Sequence, residues 1–439
     1  MHLKKIGKIL FITFSVVLLL IILLFKGVDK SPKANNLYYQ KTKQHLDSFE
    51  VEKHIGNAYE IGWSKANITP KYPLDLAGFK PRGKSDSIAD SLYVRTLYIS
   101  NKKMNVAIVS YDLLMVHPII LDKVNEGLKD LNIKVYYSAT HTHNSFGNWS
   151  PDLLSSFILG SYKDSVVESL AQKTVKTVLE AKQRVKNSTI SYFEFHNPSQ
   201  VMYRLKTTGG IVDDLVRGIK IKRSDSSEAI LSTFSAHPTT LNRNANYISG
   251  DYPGKLNELL EKKVEFSIFC AGAVGSHGPL IKGEMSLSNK DEYARKLAQA
   301  IINHKNNHNK YISDFAMSFY RFNMFLREPH LRLNEYVRIR PWLFNTIIGD
   351  LTADIQVLQL GDIIFMGMPC DFSGELISQL NVNEKQLILT SFNGNYIGYI
   401  TKDSLYDQKL HEIEQMNWFG PYNGAYFVEM MNGLLEKHY

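Results

Sequence analysis

Short runs rich in β-branched and aromatic residues alternate along the chain with stretches of helical period. Residues 93–100 and 105–111 read as strands, and Val135, Tyr136 and Tyr137 as a third that ends at Ser138 and Ala139. Between them, 119–131 has the period of a helix. A long amphipathic helix is expected over 162–184, with Val166, Leu170, Val175 and Val178 among its apolar positions. Strands follow at 189–195, 216–222, 230–235 and 264–270, with helices at 252–263 and 291–306. A strand at 314–325, a pair at 355–360 and 363–368, and a closing helix at 424–435 complete the pattern. The alternation lacks βαβ regularity, so the expected fold class is α/β, a mixed β-sheet core flanked by helices.

The strongest apolar run stands at the N-terminus. From Ile9 to Phe25 only Thr13 and Ser15 interrupt it, a length at the short edge of what crosses a hydrocarbon core. Lys4, Lys5 and Lys8 precede the run and favour a cytoplasmic N-terminus, a bias that Lys26 and Lys30 weaken. A cleaved signal would need a shorter run and small residues before the cut, and Leu23, Leu24, Phe25 and Lys26 offer none. The expected organisation is an uncleaved transmembrane anchor over 1–30, a polar linker over 31–54 and one large globular domain over 55–439, on the extracytoplasmic side of a membrane.

Composition adds less. With 439 residues, 44% hydrophobic and 21% charged, the chain can build a sizeable core, and no repeat or low-complexity tract divides it. A net charge of +8 would suit nucleic acid, but the lysines are scattered and no nucleic-acid module is legible, so the basic balance points to anionic lipid and no nucleic-acid partner is expected. Two cysteines, Cys270 and Cys370, cannot form a disulfide framework.

Candidate chemistry concentrates at 135–149, VYYSATHTHNSFGNW. The strand delivers His141, Thr142 and His143 at its tip. On an extended chain residues i and i+2 point the same way, so both imidazoles would face one cavity with Thr142 turned aside. That spacing suits zinc, for which imidazole is a common ligand, and it equally suits two hydrogen-bonded polar residues in a loop. His237 ends a second strand and precedes Pro238, whose ring favours extended backbone before it.

Beyond these residues, an ordered set of segments resembles the catalytic domain of the neutral/alkaline non-lysosomal ceramidases, zinc amidases marked by a Thr-His-Thr-His-Ser-Gly loop after a strand. The set begins with Tyr59-Glu-Ile-Gly-Trp-Ser-Lys-Ala-Asn-Ile-Thr-Pro70, Val109-Ser-Tyr-Asp112, Ser138-Ala-Thr-His-Thr-His143 and Phe234-Ser-Ala-His-Pro238. It continues through Ala273-Val-Gly275 with Pro279, Pro369-Cys-Asp-Phe372 and Asn395-Tyr-Ile-Gly-Tyr-Ile-Thr401 to Phe419-Gly-Pro421. The resemblance implies that His141, His237, Asp371 and Tyr399 ligate Zn2+ and that His143 handles protons beside the metal. It also implies that Arg204 lies near the substrate carbonyl, where a fixed cation stabilises an oxyanion. Asp371 stands where the family has glutamate. Taken without the family, it reads as the N-cap of a helix over 372–380, Tyr399 as a core tyrosine and Arg204 as a surface ion-pairing residue.

The family's nucleophilic serine, in Gly-Asp-Val-Ser-Pro, falls at Gly278 of Gly275-Ser-His-Gly-Pro279. Ser276 is then the one hydroxyl in the loop, either a substitute nucleophile or a bystander. Its neighbour His277 is expected to point away from it on an extended chain, so zinc-activated water is the expected attacking group. The implied function is a membrane-anchored zinc amidohydrolase that cleaves the N-acyl amide of ceramide, or a related N-acyl lipid, to fatty acid and amine. The alternative is a ceramidase-like lipid-binding protein that keeps the metal site without turnover. The best-known members carry a further immunoglobulin-like domain, which a chain closing at Tyr439 is expected to lack.

Overall fold

Two β-sheets packed against one another form the centre of the protein in the computed structural model, which describes residues 2–205, 210–304, 312 and 314–438. The larger sheet has eight strands, in the spatial order Phe266–Ala271, Glu228–Phe234, Leu215–Arg223, Lys186–His196, Tyr59–Asn67, Tyr93–Ser100, Asn105–Tyr111 and Lys134–Ala139. Its outermost pair at each edge is parallel and the pairs between are antiparallel, so the sheet is mixed. The smaller sheet orders His54–Ile55, Ala316–Met324, Ala353–Leu360, Ile363–Met368 and Gln386–Ser391.

Alternation of side chains along each strand supplies the contact between the sheets. Ile61, Leu97, Ile108, Tyr136, Leu231 and Ile268 of the larger sheet meet Leu358, Ile363, Phe365 and Ile388 of the smaller in one buried cluster. The Tyr136 hydroxyl reaches Thr390 Oγ1 across it at 2.6 Å, which satisfies a phenol that the core would otherwise leave unpaired. Helices Pro118–Leu128 and Asp164–Gln183 cover one part of the large sheet, and Asp251–Leu260 with Leu287–Asn303 another. Asn423–Glu436 lies against the smaller sheet. The fold is therefore α/β with helices flanking a mixed sheet core. The helix expected over 291–306 starts earlier, capped by Ser286, and positions 305–306 lie outside the described residues.

Three of the differences from the pattern reading concern the two sheets and the segment that carries Asp371. Tyr59–Asn67 is a central strand although Gly62 and the polar residues of YEIGWSKAN hide its period. Gln386–Ser391 joins the smaller sheet as a short strand, buried from Leu387 onward. No helix runs over 372–380: Asp371–Phe372 pairs as a strand with Tyr399–Ile400, and a 3-10 helix, Gly374–Gln379, follows. The Asp371 carboxylate is not spent on capping, because it bonds Tyr396 instead.

At the N-terminus His2–Leu24 is a helix, and its segment Lys5–Leu24 is long and apolar enough to cross a membrane, as an anchor or a signal sequence would be. The stretch 31–54, expected as a polar linker, lies packed on the domain. Helix Leu37–Ser48 buries Thr42 and Leu46, and Thr42 Oγ1 accepts from the Tyr426 hydroxyl at 2.6 Å. Just before it, Phe25–Gly27 pairs antiparallel with Val337–Ile339, and Arg327 donates to the carbonyls of Asp29 and Ser31.

Candidate metal centre

Five strands, each a member of a parallel pair, end at one place: Lys134–Ala139, Glu228–Phe234, Phe266–Ala271, Ile363–Met368 and Gln386–Ser391. Beyond their carboxyl ends the chain delivers His141 and His143, His237, Ser276, Asp371 and Phe392 in turn. Ligand sites of α/β proteins commonly form at such ends, where loops are free of the ladder.

His141 is not extended. Its φ is +63°, in the left-handed region, so the two rings of the H-x-H converge through a turn rather than by the alternation expected of a strand. Thr142 does turn aside, donating to Ser249 O at 2.7 Å. His141 Nε2 lies 3.1 Å from His237 Nε2 and 3.1 Å from His143 Nε2, and the latter two are 2.9 Å apart. His143, expected beside the other two imidazoles, thus turns the same nitrogen into the same point. Gly78 makes room for it: with φ +97°, a Cβ there would stand 2.7 Å from His143 Cα.

Backbone carbonyls fix the protons of this cluster. His141 Nδ1 donates to Leu114 O at 2.6 Å and His237 Nδ1 to Val274 O at 3.3 Å, so the Nε2 of each neutral ring carries a lone pair. Burial pushes all three imidazoles below their ordinary pKa, His141 to about 3, and keeps them neutral. The His141 ring is clamped on Phe392, with centroids 3.7 Å apart and planes at 7°.

Facing the histidines is a network of side chains. Asp371 Oδ2 accepts from the Tyr396 hydroxyl at 2.8 Å, while Oδ1, buried and without a hydrogen-bond partner, lies 3.7 Å from His141 Nε2. Burial raises the Asp371 carboxyl to about 7, against the pull of Arg204. Tyr399 is the cross-strand partner of Asp371, and its hydroxyl accepts from Arg204 at 2.9 Å. Arg204 also donates to Gly275 O at 2.9 Å and to Glu412 at 2.8 Å. It is partly buried and ties three segments together, unlike a surface ion pair. Its Nε–H is buried with no partner.

Two Nε2 lone pairs 3.1 Å apart cannot hydrogen-bond each other, and a single proton on His143 cannot satisfy both. A cation between them resolves the conflict, as it does for the unpartnered Asp371 Oδ1. Zinc held tetrahedrally by nitrogens at about 2.0–2.1 Å spaces them about 3.3 Å apart, close to the separations found, and N/O donors suit it. Among the described residues this is the cluster of three or more His, Cys, Asp or Glu side chains able to hold a metal ion. The donor set fits zinc.

The loop at Gly275 corrects one expectation. Ser276 Oγ lies 3.0 Å from His277 Nδ1, because 274–277 form a turn closed by His277 N to Val274 O at 3.2 Å, and adjacent side chains in a turn need not diverge. The contact still does not activate the serine. Asp213 N–H donates to His277 Nε2 at 3.0 Å, so the neutral ring carries its proton on Nδ1 and gives it to Ser276 Oγ. Burial lowers the His277 pKa to about 4, which keeps the ring neutral. Gly275 is required here, since a Cβ would stand 2.6 Å from Asp371 O. At Gly278 a Cβ would meet only Arg204 Cβ and Cδ, at 3.6 Å.

The family model for neutral/alkaline non-lysosomal ceramidase, N-terminal, matches residues 59–286, just over half of the chain. The chain belongs to this ceramidase family. Membership carries amide hydrolysis, and the match includes His141, His143, Arg204, His237 and Ser276. Asp371 and Tyr399 lie beyond the matched span. Neutral ceramidase from Pseudomonas aeruginosa superposes with a TM-score of 0.73 over 87% of this chain and 75% of its own, at 16% identity. A ceramidase complexed with C2 gives a TM-score of 0.73 and 16% identity, over 87% of this chain and 76% of its own. At that identity the two structures show the shared fold. No curated protein matches the chain in sequence. Pattern reading of this ceramidase-family chain passed over Phe79, whose ring packs on His143 with centroids 4.6 Å apart, and over Phe392, Tyr396 and Glu412. Tyr396, three residues before Tyr399 in a segment already singled out, had a signal; Glu412 had none.

Proposed function

We propose that the chain is a membrane-anchored, zinc-dependent amidohydrolase that cleaves the N-acyl amide of ceramide or a related N-acyl lipid. Water adds across the C–N bond, releasing a fatty acid and an amine. The observation that carries the reading is the meeting of the His141, His143 and His237 Nε2 atoms within 3.1 Å of one another in a ceramidase-family chain. Those three nitrogens and Asp371 Oδ1 would hold the ion, with Tyr399 as a further oxygen donor. Zinc, when bound, supplies Lewis acidity to the amide carbonyl and makes a water acidic enough to attack near neutral pH.

The chain's own side chains do the rest. Arg204, braced by Glu412 and Gly275 O, keeps one buried donor, Nε–H, free for the oxygen that gains charge as the carbonyl is attacked, and a fixed cation there costs no reorganisation. The same guanidinium, donating to the Tyr399 hydroxyl, favours its oxygen as a donor. With its Nε2 committed to the ion, His143 keeps its buried, unpartnered Nδ1–H as a hydrogen-bond donor, and the proton that the departing amine takes is that of the added water. Ser276, already accepting from His277, is left out of the attack. The anchor is Lys5–Leu24, uncleaved, with the domain on the extracytoplasmic side.

The test is zinc content and hydrolysis of a fluorescent N-acylsphingosine by the full-length protein in detergent. The reading expects one zinc per chain, and turnover that is lost on chelation and restored by zinc. Undiminished turnover after complete metal removal would overturn it. Gly278, where the family has its serine, favours a second reading, a lipid-binding protein without turnover. That reading expects stoichiometric zinc and bound ceramide with no cleavage of any N-acyl lipid.

A further inference from the structure

Two short helices expose apolar side chains beside the end of the anchor. Leu153–Leu159 (LLSSFIL) and Pro341–Ile348 (PWLFNTII) contain no charged residue, and they pack on each other. Leu153 is 64% exposed, Phe157 75% and Trp342 53%. Contiguous exposed apolar surface of this kind marks a protein partner or a membrane. The neighbouring hydrogen bonds choose between them. Arg340 N donates to Leu24 O at 2.9 Å, Arg340 Nε to Ile22 O at 2.8 Å and Trp342 Nε1 to Leu23 O at 3.3 Å. The start of the second helix is thus bonded to the last turn of the apolar segment Lys5–Leu24. Twenty residues at 1.5 Å each span about 30 Å, the thickness of a hydrocarbon core, which puts that last turn at the lipid–water boundary. The pairing of Phe25–Gly27 with Val337–Ile339 leaves no slack by which the domain could stand away from it. A tryptophan and two basic residues, Lys26 and Arg340, at this level are what such a boundary favours.

We infer that the face formed by Leu153, Phe157 and Trp342 is seated in the bilayer that the anchor crosses, so that the metal centre takes its lipid from the membrane without releasing it to water. The inference rests on the anchor reading given under the proposed function. Its link to the site is short. The helix Leu153–Leu159 continues the loop that carries His141 and His143, and Asn148 N donates back to Leu159 O at 2.8 Å, so loop and membrane-seated helix are one unit. N-acyl lipids with two long chains are nearly insoluble in water. A site held at the bilayer surface avoids the cost of extracting them.

The test uses full-length protein in lipid nanodiscs, with a nitroxide on single introduced cysteines. Both native cysteines, Cys270 and Cys370, are buried and can stay. Labels at Leu153→Cys and Phe157→Cys are compared with one at Phe14→Cys, within the anchor. Another, at Ser224→Cys, sits in the exposed turn at the far end of the strand that leads to His237. Relative accessibility to oxygen and to a water-soluble nickel chelate reads depth. The expected result is a shift to lipid values at 14, 153 and 157, with 224 aqueous. Lipid values at 14 with aqueous values at both 153 and 157 would overturn the inference and leave the anchor standing. Aqueous values at 14 would remove the anchor, and the inference with it.

Discussion

The two sides of the metal centre are built by different means. On one side His141 and His237 are oriented by main-chain carbonyls, Leu114 O and Val274 O, and lie in dry surroundings that keep every imidazole neutral. On the other, Asp371, Tyr396, Tyr399, Arg204 and Glu412 orient one another through side-chain bonds. Main-chain acceptors cannot be mutated away, so the histidine side keeps its tautomers as long as the strands pair. The opposite side depends on each member of a network, where low dielectric strengthens satisfied groups and penalises orphaned ones.

Removing a nitrogen donor breaks the comparison at its strongest point. His237→Ala is expected to lose bound zinc and nearly all turnover, and His143→Ala to lose most of its zinc affinity; metal analysis of the purified variants checks both. Full zinc occupancy in His143→Ala would move that ring from the ion to a proton-handling place beside it. Next in size is Arg204→Met, expected to keep its zinc and to lose about a hundredfold in kcat, about 2.7 kcal/mol, as loss of an oxyanion donor does. Steady-state kinetics on N-acylsphingosine, paired with zinc analysis, separates this from metal loss.

Glu412→Gln leaves the hydrogen bond to Arg204 but removes its charge. A fall of about tenfold in kcat, roughly 1.4 kcal/mol, with zinc retained, is expected if the bracing of Arg204 matters. An unchanged kcat would mean that hydrogen bonds to position 412, Gly275 O and the Tyr399 hydroxyl hold the guanidinium without the carboxylate charge. The smallest effect belongs to the loop. Ser276→Ala should lose less than about tenfold, under about 1.4 kcal/mol of barrier, because the serine accepts a proton from His277 rather than giving one up. An acyl adduct trapped on Ser276 in the parent protein would contradict that.

Legibility in the chain followed the same division. Strands 93–100, 105–111 and 363–368 were readable to the residue, because each is rich in β-branched, aromatic and other apolar residues and bounded by polar turns. Tyr59–Asn67 was not, since Gly62 and Ser64 interrupt its period, yet tertiary contacts place it in the middle of the sheet. The H-x-H and the His-Pro were visible as local spacings. That His143 Nε2 would meet the other two required the left-handed turn at His141, a conformation uncommon for any residue that carries a Cβ. The Ser276 to His277 contact failed for the same reason, a turn where an extended chain was assumed.

By itself the sequence determined what depends on neighbours along the chain. This covers the alternating strands and helices, an apolar N-terminal run long enough to span a bilayer, and the ordered motifs, of which the family model also spans those between 59 and 286. Tertiary structure alone decided which side chains from distant segments share a space. It placed Glu412 against Arg204 across 208 positions, left Asp371 Oδ1 without a partner beside the histidines, and bonded the end of the N-terminal apolar helix to residues 340–342. Local patterns report the burial and backbone preference of each segment. Partners hundreds of residues apart are chosen by how the sheets and helices pack, and packing leaves no periodic trace in the residues that it joins.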